Sequence, residues 1–174
     1  MSPQSWDTKL KSLPRARIKG RYFRMVREDD AEDILSTGPS FAYGGRYNKA
    51  GEFGALYLSD DSRTCYLEKM KQVGGKEELL PPQAIGVIEV NIPGALDLTA
   101  ERTLKGLAIL ESSLMDLLDR TLPQAIGEAA HSSGVHALRV PSALAAGKNL
   151  VIFDEALTHK DCEIRLLEIQ KWKF

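Results

Sequence analysis

The chain has 174 residues, 43% hydrophobic and 27% charged, with a net charge of −1. That is a balance typical of one globular domain. No run approaches the ~18–20 consecutive apolar residues of a membrane span, and the opening MSPQSWDTKLKSLPRARIKG lacks the apolar stretch of a signal peptide, so a cytoplasmic, membrane-free protein is expected. Cys65 and Cys162 form no CxxC pair, which excludes a disulfide framework or zinc knuckle and leaves two buried free thiols as the reading.

Charge is unevenly placed. Residues 1–27 hold eight bases against Asp7 alone, a balance of +7 that leaves −8 for the other 147 residues. Residues 1–19 therefore read as a basic N-terminal arm, either solvated and loosely ordered or gripping an acidic or phosphate-bearing partner. Direct nucleic-acid binding is not expected, since the rest is acidic and carries no reading motif.

In chain order, GRYFRMVR (20–27) alternates as a strand. EDDAEDILSTG (28–38) reads as a short helix with acids in its first turn, ended by Gly38 and closed by Pro39. YGGRYNKAGEFG (43–54) is a glycine-rich loop leading into the strand ALYLS (55–59). SDDSRTCYLEKMKQVGG (59–75) predicts a helix capped by Ser59 or Asp60 and stopped by Gly74 and Gly75. AIGVIEVNIP (84–93) predicts a buried strand bounded by Pro82 and Pro93. ERTLKGLAILESSLMDLLDR (101–120) places leucines at helical spacing, and PQAIGEAAHSSG (123–134) predicts a further helix with Pro123 in its first turn. VHALRVPS, NLVIF and CEIRLLEIQKW read as three more strands. The pattern is α+β in a single domain over 1–174, without repeats or linkers.

Several chemistries find no support. HExxH is absent, and His131, His136 and His159 are read as lacking a carboxylate or Cys at ligand spacing, so no metal site is expected. AAGKNL lacks the frame of a P-loop, the loop glycines do not match GxGxxG, and GxSxG is absent. What the loop does offer is Gly44 and Gly45, which permit close backbone approach, next to Arg46, a planar fork of donors suited to phosphate or carboxylate. Arg46, Tyr57 and Glu68 follow at intervals of 11 residues on a loop, a strand and a helix. Those elements can fold around one pocket, or Arg46 and Glu68 can serve as ordinary surface salt-bridging residues. The residues alone leave both readings open.

The stretch GGRYNKAGEFGALYLSDDSRTCYLEK resembles the signature of the RES-domain toxins. In that family a G-G-R-aromatic-N-x-x-G loop precedes an L-Y-x-S strand and a T-x-x-x-E helix. RVPSALAAGKNLVIF resembles the family's late P-S-A turn, which nominates Ser142, and RYFRMV resembles its opening strand, which nominates Arg24. Tyr47 stands where the family usually shows Trp, and Asp154-Glu155 where it often shows Asn-Pro. The resemblance implies a small mixed β core with flanking helices, similar to the ADP-ribosyltransferase toxins, and cleavage of the nicotinamide–ribose bond of NAD. It implies Arg46, Glu68 and Ser142 as catalytic residues, and Arg24, Tyr57, Gly45 and Asn48 as NAD-binding residues. Arg46 would pair with the pyrophosphate, Glu68 would stabilise the oxocarbenium-like transition state, and Tyr57 would stack on nicotinamide or its ribose. The acceptor would be water or inorganic phosphate, depleting NAD, with mono-ADP-ribosylation of a protein as the alternative. The family resemblance also implies a co-encoded antitoxin with a helix-turn-helix portion that blocks the pocket. A reading of another class is a non-catalytic module that binds a nucleotide or a partner.

Overall fold

Apolar alternation builds the sheet. The computed structural model describes residues 3–144 and 146–173, with six strands: β1 (Ala16–Arg27), β2 (Ala55–Ser59), β3 (Gln83–Asp97), β4 (Ala137–Pro141), β5 (Lys148–Phe153) and β6 (Glu163–Lys171). Their order is β1-β2-β5-β4-β3-β6, and β1 also pairs with β3, so five strands close into a ring with β6 added outside it on β3. Pairing is antiparallel except between β3 and β4.

Successive side chains of a strand point to opposite faces, and β5 shows the result. Its Leu150 and Ile152 join Tyr22, Leu56, Leu58, Ile88 and Val90 in a core to which all five ring strands contribute. Val151 and Phe153 face the other way, into a second core with Leu96, Leu138, Leu107 and Ile126. Helices α1 (Pro3–Ser12), α4 (Glu101–Leu107) and α5 (Thr121–Ser132) cover that second core. Two further helices, α2 (Gly38–Tyr43) and α3 (Ser62–Gln72), flank the loop and strand between them.

The basic N-terminal residues lie on this scaffold. α1 buries Trp6 and Leu10, while Lys9 sits over the Trp6 ring and Arg15 donates to the Leu10 carbonyl. Residues 16–19 begin β1, and Arg17 donates to the Asn91 side chain.

Four boundaries differ from the sequence expectation, each for a local reason. Residues 28–33 form a 3-10 helix, and Pro39 sits in the first turn of α2 rather than closing a helix. A proline suits that position because the first N–H groups of a helix are unpaired anyway. The α3 cap is Asp61, which accepts the Thr64 N–H at 2.7 Å, because Ser59 is the last residue of β2 and donates to Asn149. β3 runs on past Pro93 to Asp97; the register against β1 shifts between Ala16 and Ile18, opposite Pro93 and Gly94, and a bulge tolerates a residue without an N–H. The leucine-rich stretch is not one helix. Ala108 turns left-handed (φ 57°), a 3-10 turn follows at Glu111–Leu114, and Leu110 and Leu118 are 74% and 96% exposed while Leu107 and Leu114 are buried.

Candidate active site

The glycine-rich loop is held by a knot of polar contacts. Asn48 is fully buried, donating through Nδ2 to the carbonyls of Ser40 (2.9 Å) and Phe53 (3.0 Å). Its Oδ1 accepts the Tyr57 hydroxyl at 2.7 Å, and that hydroxyl accepts the Tyr47 backbone N–H at 2.9 Å. Burial holds the Tyr57 phenol well above its ordinary range, so it stays a donor at neutral pH. Gly45 closes the knot. A Cβ there would stand 2.5 Å from the Tyr57 hydroxyl and 2.8 Å from Asn48 Oδ1, so close approach rather than flexibility requires the glycine. Its carbonyl accepts from Gln124 on α5. α5 meets the loop without a gap, since a Cβ on Gly127 would lie 1.8 Å from the Tyr47 carbonyl oxygen.

Beside this knot opens a cleft of about 720 Å³, within the range of about 300–1,000 Å³ usual for ligand pockets. Among the described residues, Glu68 on α3 is its only acidic lining residue; Arg24, Arg27, Arg46, Lys69, Lys71 and Arg120 are basic. Glu68 Oε1 accepts from Ser142 Oγ and from Asn149 Nδ2, each at 3.2 Å. Asn149 is oriented by Ser59, whose hydroxyl donates to its Oδ1 at 2.8 Å. Ser142 is buried and its Oγ also accepts the Leu144 N–H. Two donors on one oxygen fix the rotamer of the carboxylate and leave Oε2 without a hydrogen bond among the described residues. Contacts of that length are common in ligand-free sites and tighten when substrate binds.

The cations fall into two groups. Arg24 donates to the Tyr57 carbonyl at 2.9 Å, and burial draws its guanidinium below the ordinary arginine value. Arg46 donates through Nε and a terminal nitrogen to the Leu114 carbonyl (3.0 and 2.7 Å), and again to the Asp116 carbonyl. Its fork therefore fastens the 111–116 segment to the rim of the cleft. Lys69, Lys71 and Arg120 line the same cleft, and their side chains make no hydrogen bond or ion pair with the described residues. Burial, followed by the neighbouring Arg24, lowers the Lys69 ammonium from its ordinary value. A concave wall with many cations and one acid focuses positive potential on whatever enters.

Of the sequence-nominated residues, Arg24, Gly45, Arg46, Tyr57 and Glu68 line one cleft, with Ser142 bonded to Glu68 from beneath. Asn48 does not reach it. With no exposed surface and its amide fully engaged, Asn48 shapes the loop and touches no ligand in this conformation. The sequence reading passed over Asn149, Lys71 and Arg120 as site residues. Lys71 was within reach, because it follows Glu68 by three residues and so shares its helix face. Arg120 was not, because its place depends on where the 108–120 segment breaks. Cys65 also lines the cleft, but burial pushes its thiol up to about 11, which makes it a poor nucleophile.

The family model of the RES domain matches residues 20–174, and the chain belongs to that family. Among solved structures, a chain of the M. tuberculosis MbcT-MbcA toxin-antitoxin complex is similar with a TM-score of 0.81 at 22% sequence identity, over 97% of this chain and 92% of that one. At this identity the likeness is one of fold. No curated protein matches the sequence.

Proposed function

We propose that this chain is the toxin of a toxin–antitoxin pair and that its cleft cleaves the nicotinamide–ribose bond of NAD, with water or phosphate taking the ADP-ribosyl group. The observation that carries this reading is one oriented carboxylate, Glu68, set among six cations in a single cleft. NAD carries a pyrophosphate that the unpaired Lys69, Lys71 and Arg120 suit. Positive charge develops on the ribose as nicotinamide departs, and a carboxylate beside the anomeric carbon stabilises it. Ser142 and Asn149 hold Glu68 for that task, so they are positioning residues. The phosphate-binding role passes in part from Arg46 to these free cations, while Arg46 holds the rim.

The partner follows from family and surface. The solved relative of similar fold comes from a toxin-antitoxin complex. Here the helix that borders the cleft exposes Phe41 (47%) and Tyr43 (88%), an apolar edge on which a blocking segment can seat.

Incubating the chain with NAD, with and without phosphate and cell lysate, tests the reading. Nicotinamide should appear with the unaltered chain and not with Glu68→Gln, and the second product names the acceptor: ADP-ribose, its 1-phosphate, or a labelled protein. Persistence of NAD with folded, antitoxin-free protein would leave a nucleotide- or partner-binding module.

A further inference from the structure

The fold assembles a second cluster at the far end of β4 from the cleft. His136 directly precedes β4, and Ser142 directly follows it, so at about 3.3 Å per residue the two ends lie about 20 Å apart. At the His136 end, Cys162 Sγ lies 3.3 Å from His136 Nδ1 across 26 residues of chain, and the His136 and His159 rings stand 4.4 Å apart. One ligand atom from each of the three falls within 4.8 Å of the others. His159 and Cys162 form an H-x-x-C pair within the turn that enters β6. The sequence expectation of no metal passed over this pair, and its third member, His136, stands just before β4, 23 residues before His159 in the chain.

We propose that His136, His159 and Cys162 form a binding site for a divalent transition-metal ion of the zinc class. Zinc bonds of about 2.0–2.1 Å to nitrogen and about 2.3 Å to sulfur, at a tetrahedral angle, require nitrogen and sulfur about 3.5 Å apart. The cluster holds them at 3.3 Å, so an ion enters with a shift of a few tenths of an ångström. Space for the ring is built in: a Cβ on Gly94 would stand 2.9 Å from the same His136 Nδ1. All three residues are partly exposed, so an ion from solvent can reach the cluster. On binding, the Cys162 thiol gives its proton to the medium, and its contact with His136 is replaced by two bonds to the ion. His159 Nδ1 accepts the Asp161 backbone N–H at 3.1 Å, a contact the ring gives up where that nitrogen becomes the ligand. Two nitrogens and a thiolate suit zinc better than magnesium or calcium, which favour oxygen. The site would clip the start of β4 to the turn that feeds β6, a strand paired only with β3.

The test uses the full, untagged chain after chelation. Calorimetric titration with Zn²⁺ should give one ion per chain, and Co²⁺ should give the thiolate charge-transfer and visible bands of a tetrahedral site. Loss of an outer-shell partner alone costs about 10–100-fold in metal affinity, so Cys162→Ser and His136→Gln should each cost at least about 100-fold. Both variants should also lose the rise in melting temperature that Zn²⁺ gives the unaltered chain, while Cys65→Ser should bind as before. Absence of the cobalt thiolate band from the unaltered chain would overturn the proposal without any variant having to fold. So would zinc affinity unchanged by both substitutions.

Discussion

Two polar clusters lie side by side along β2 and differ in what surrounds them. The Asn48–Tyr57 knot is sealed around the fully buried Asn48, and its donors and acceptors are matched among the loop, α2 and β2. The Glu68–Ser142–Asn149 cluster is also hydrogen-bonded, but its carboxylate opens on a cationic cleft and keeps one oxygen uncommitted. Residues from one sequence signature are thus divided between a buried scaffold and the wall of an open cleft, and burial makes the division. Substitutions should separate the two: in the open cluster they should reduce turnover and spare stability, and in the sealed one the reverse.

The largest effect is expected at Glu68. Glu68→Gln keeps the shape and a hydrogen-bonding oxygen for Ser142 and Asn149, but removes the charge that faces the developing oxocarbenium ion. Loss of one transition-state contact of this kind costs about 10²–10³-fold, roughly 2.7–4 kcal/mol. Initial rates of nicotinamide release measure that, and melting temperature should scarcely change. A loss of stability equal to the loss of rate would erase the distinction between the clusters.

Asn48→Ala should do the opposite. It leaves the Phe53 carbonyl and the Tyr57 O–H without a partner, while the Ser40 carbonyl keeps the Gly44 N–H. An unmatched buried group costs about 1–3 kcal/mol; with partial relaxation we expect a total of about 2–3 kcal/mol, read as a lower denaturant midpoint. NAD should still be cleaved by the molecules that remain folded. Tyr57→Phe is a smaller version, about 1–2 kcal/mol, because the ring stays and only Asn48 Oδ1 and the Tyr47 N–H lose a partner. It also bears on the ligand side of the comparison. Tyr57 lines the cleft, so a higher KM with an unchanged kcat would show that its hydroxyl helps hold NAD through the loop it ties.

The strands and the signature were legible because local rules set them. ALYLS forms β2 over the residues expected, since alternation and flanking turn residues leave little choice. Glu68 could be nominated because loop, strand and helix follow one another without a long excursion. What could not be read depends on tertiary contacts. The leucines of 101–120 keep a helical period, yet Arg46 takes the Leu114 and Asp116 carbonyls and the segment turns out toward solvent. The same break sets the partners of Arg46, so one unread feature governs both where the helix stops and what this guanidinium bonds in the ligand-free chain. Asn48 was legible as important and illegible as buried. Whether an asparagine meets a ligand or a carbonyl is decided here by how the loop folds back on itself at Phe53 and packs against Ser40 of α2, which no local spacing shows.

The smallest effect, at Asp61, asks whether the open cluster is positioned from outside itself. Asp61 caps α3, the helix that carries Glu68, by accepting the Thr64 N–H and hydroxyl, each at 2.7 Å. The residue before β5 comes close from the other side, since a Cβ on Gly147 would stand 2.6 Å from Asp61 Oδ2. Burial alone would raise the Asp61 carboxyl, but the Thr64 bonds outweigh it and hold the group below its ordinary value of 3.8. A depressed folded-state pKa means that the contribution is complete above the unfolded value and fades as pH falls below about 4. Asp61→Ala should therefore cost about 1 kcal/mol at pH 7, the usual worth of such a cap, and the gap between variant and unaltered chain should narrow toward pH 3. Rate gives the sharper reading. Loosening the first turn of α3 tilts Glu68 away from Ser142 and Asn149, so kcat should fall a few-fold while KM holds. A pure stability effect with kcat untouched would mean that those two residues position Glu68 without help from the cap.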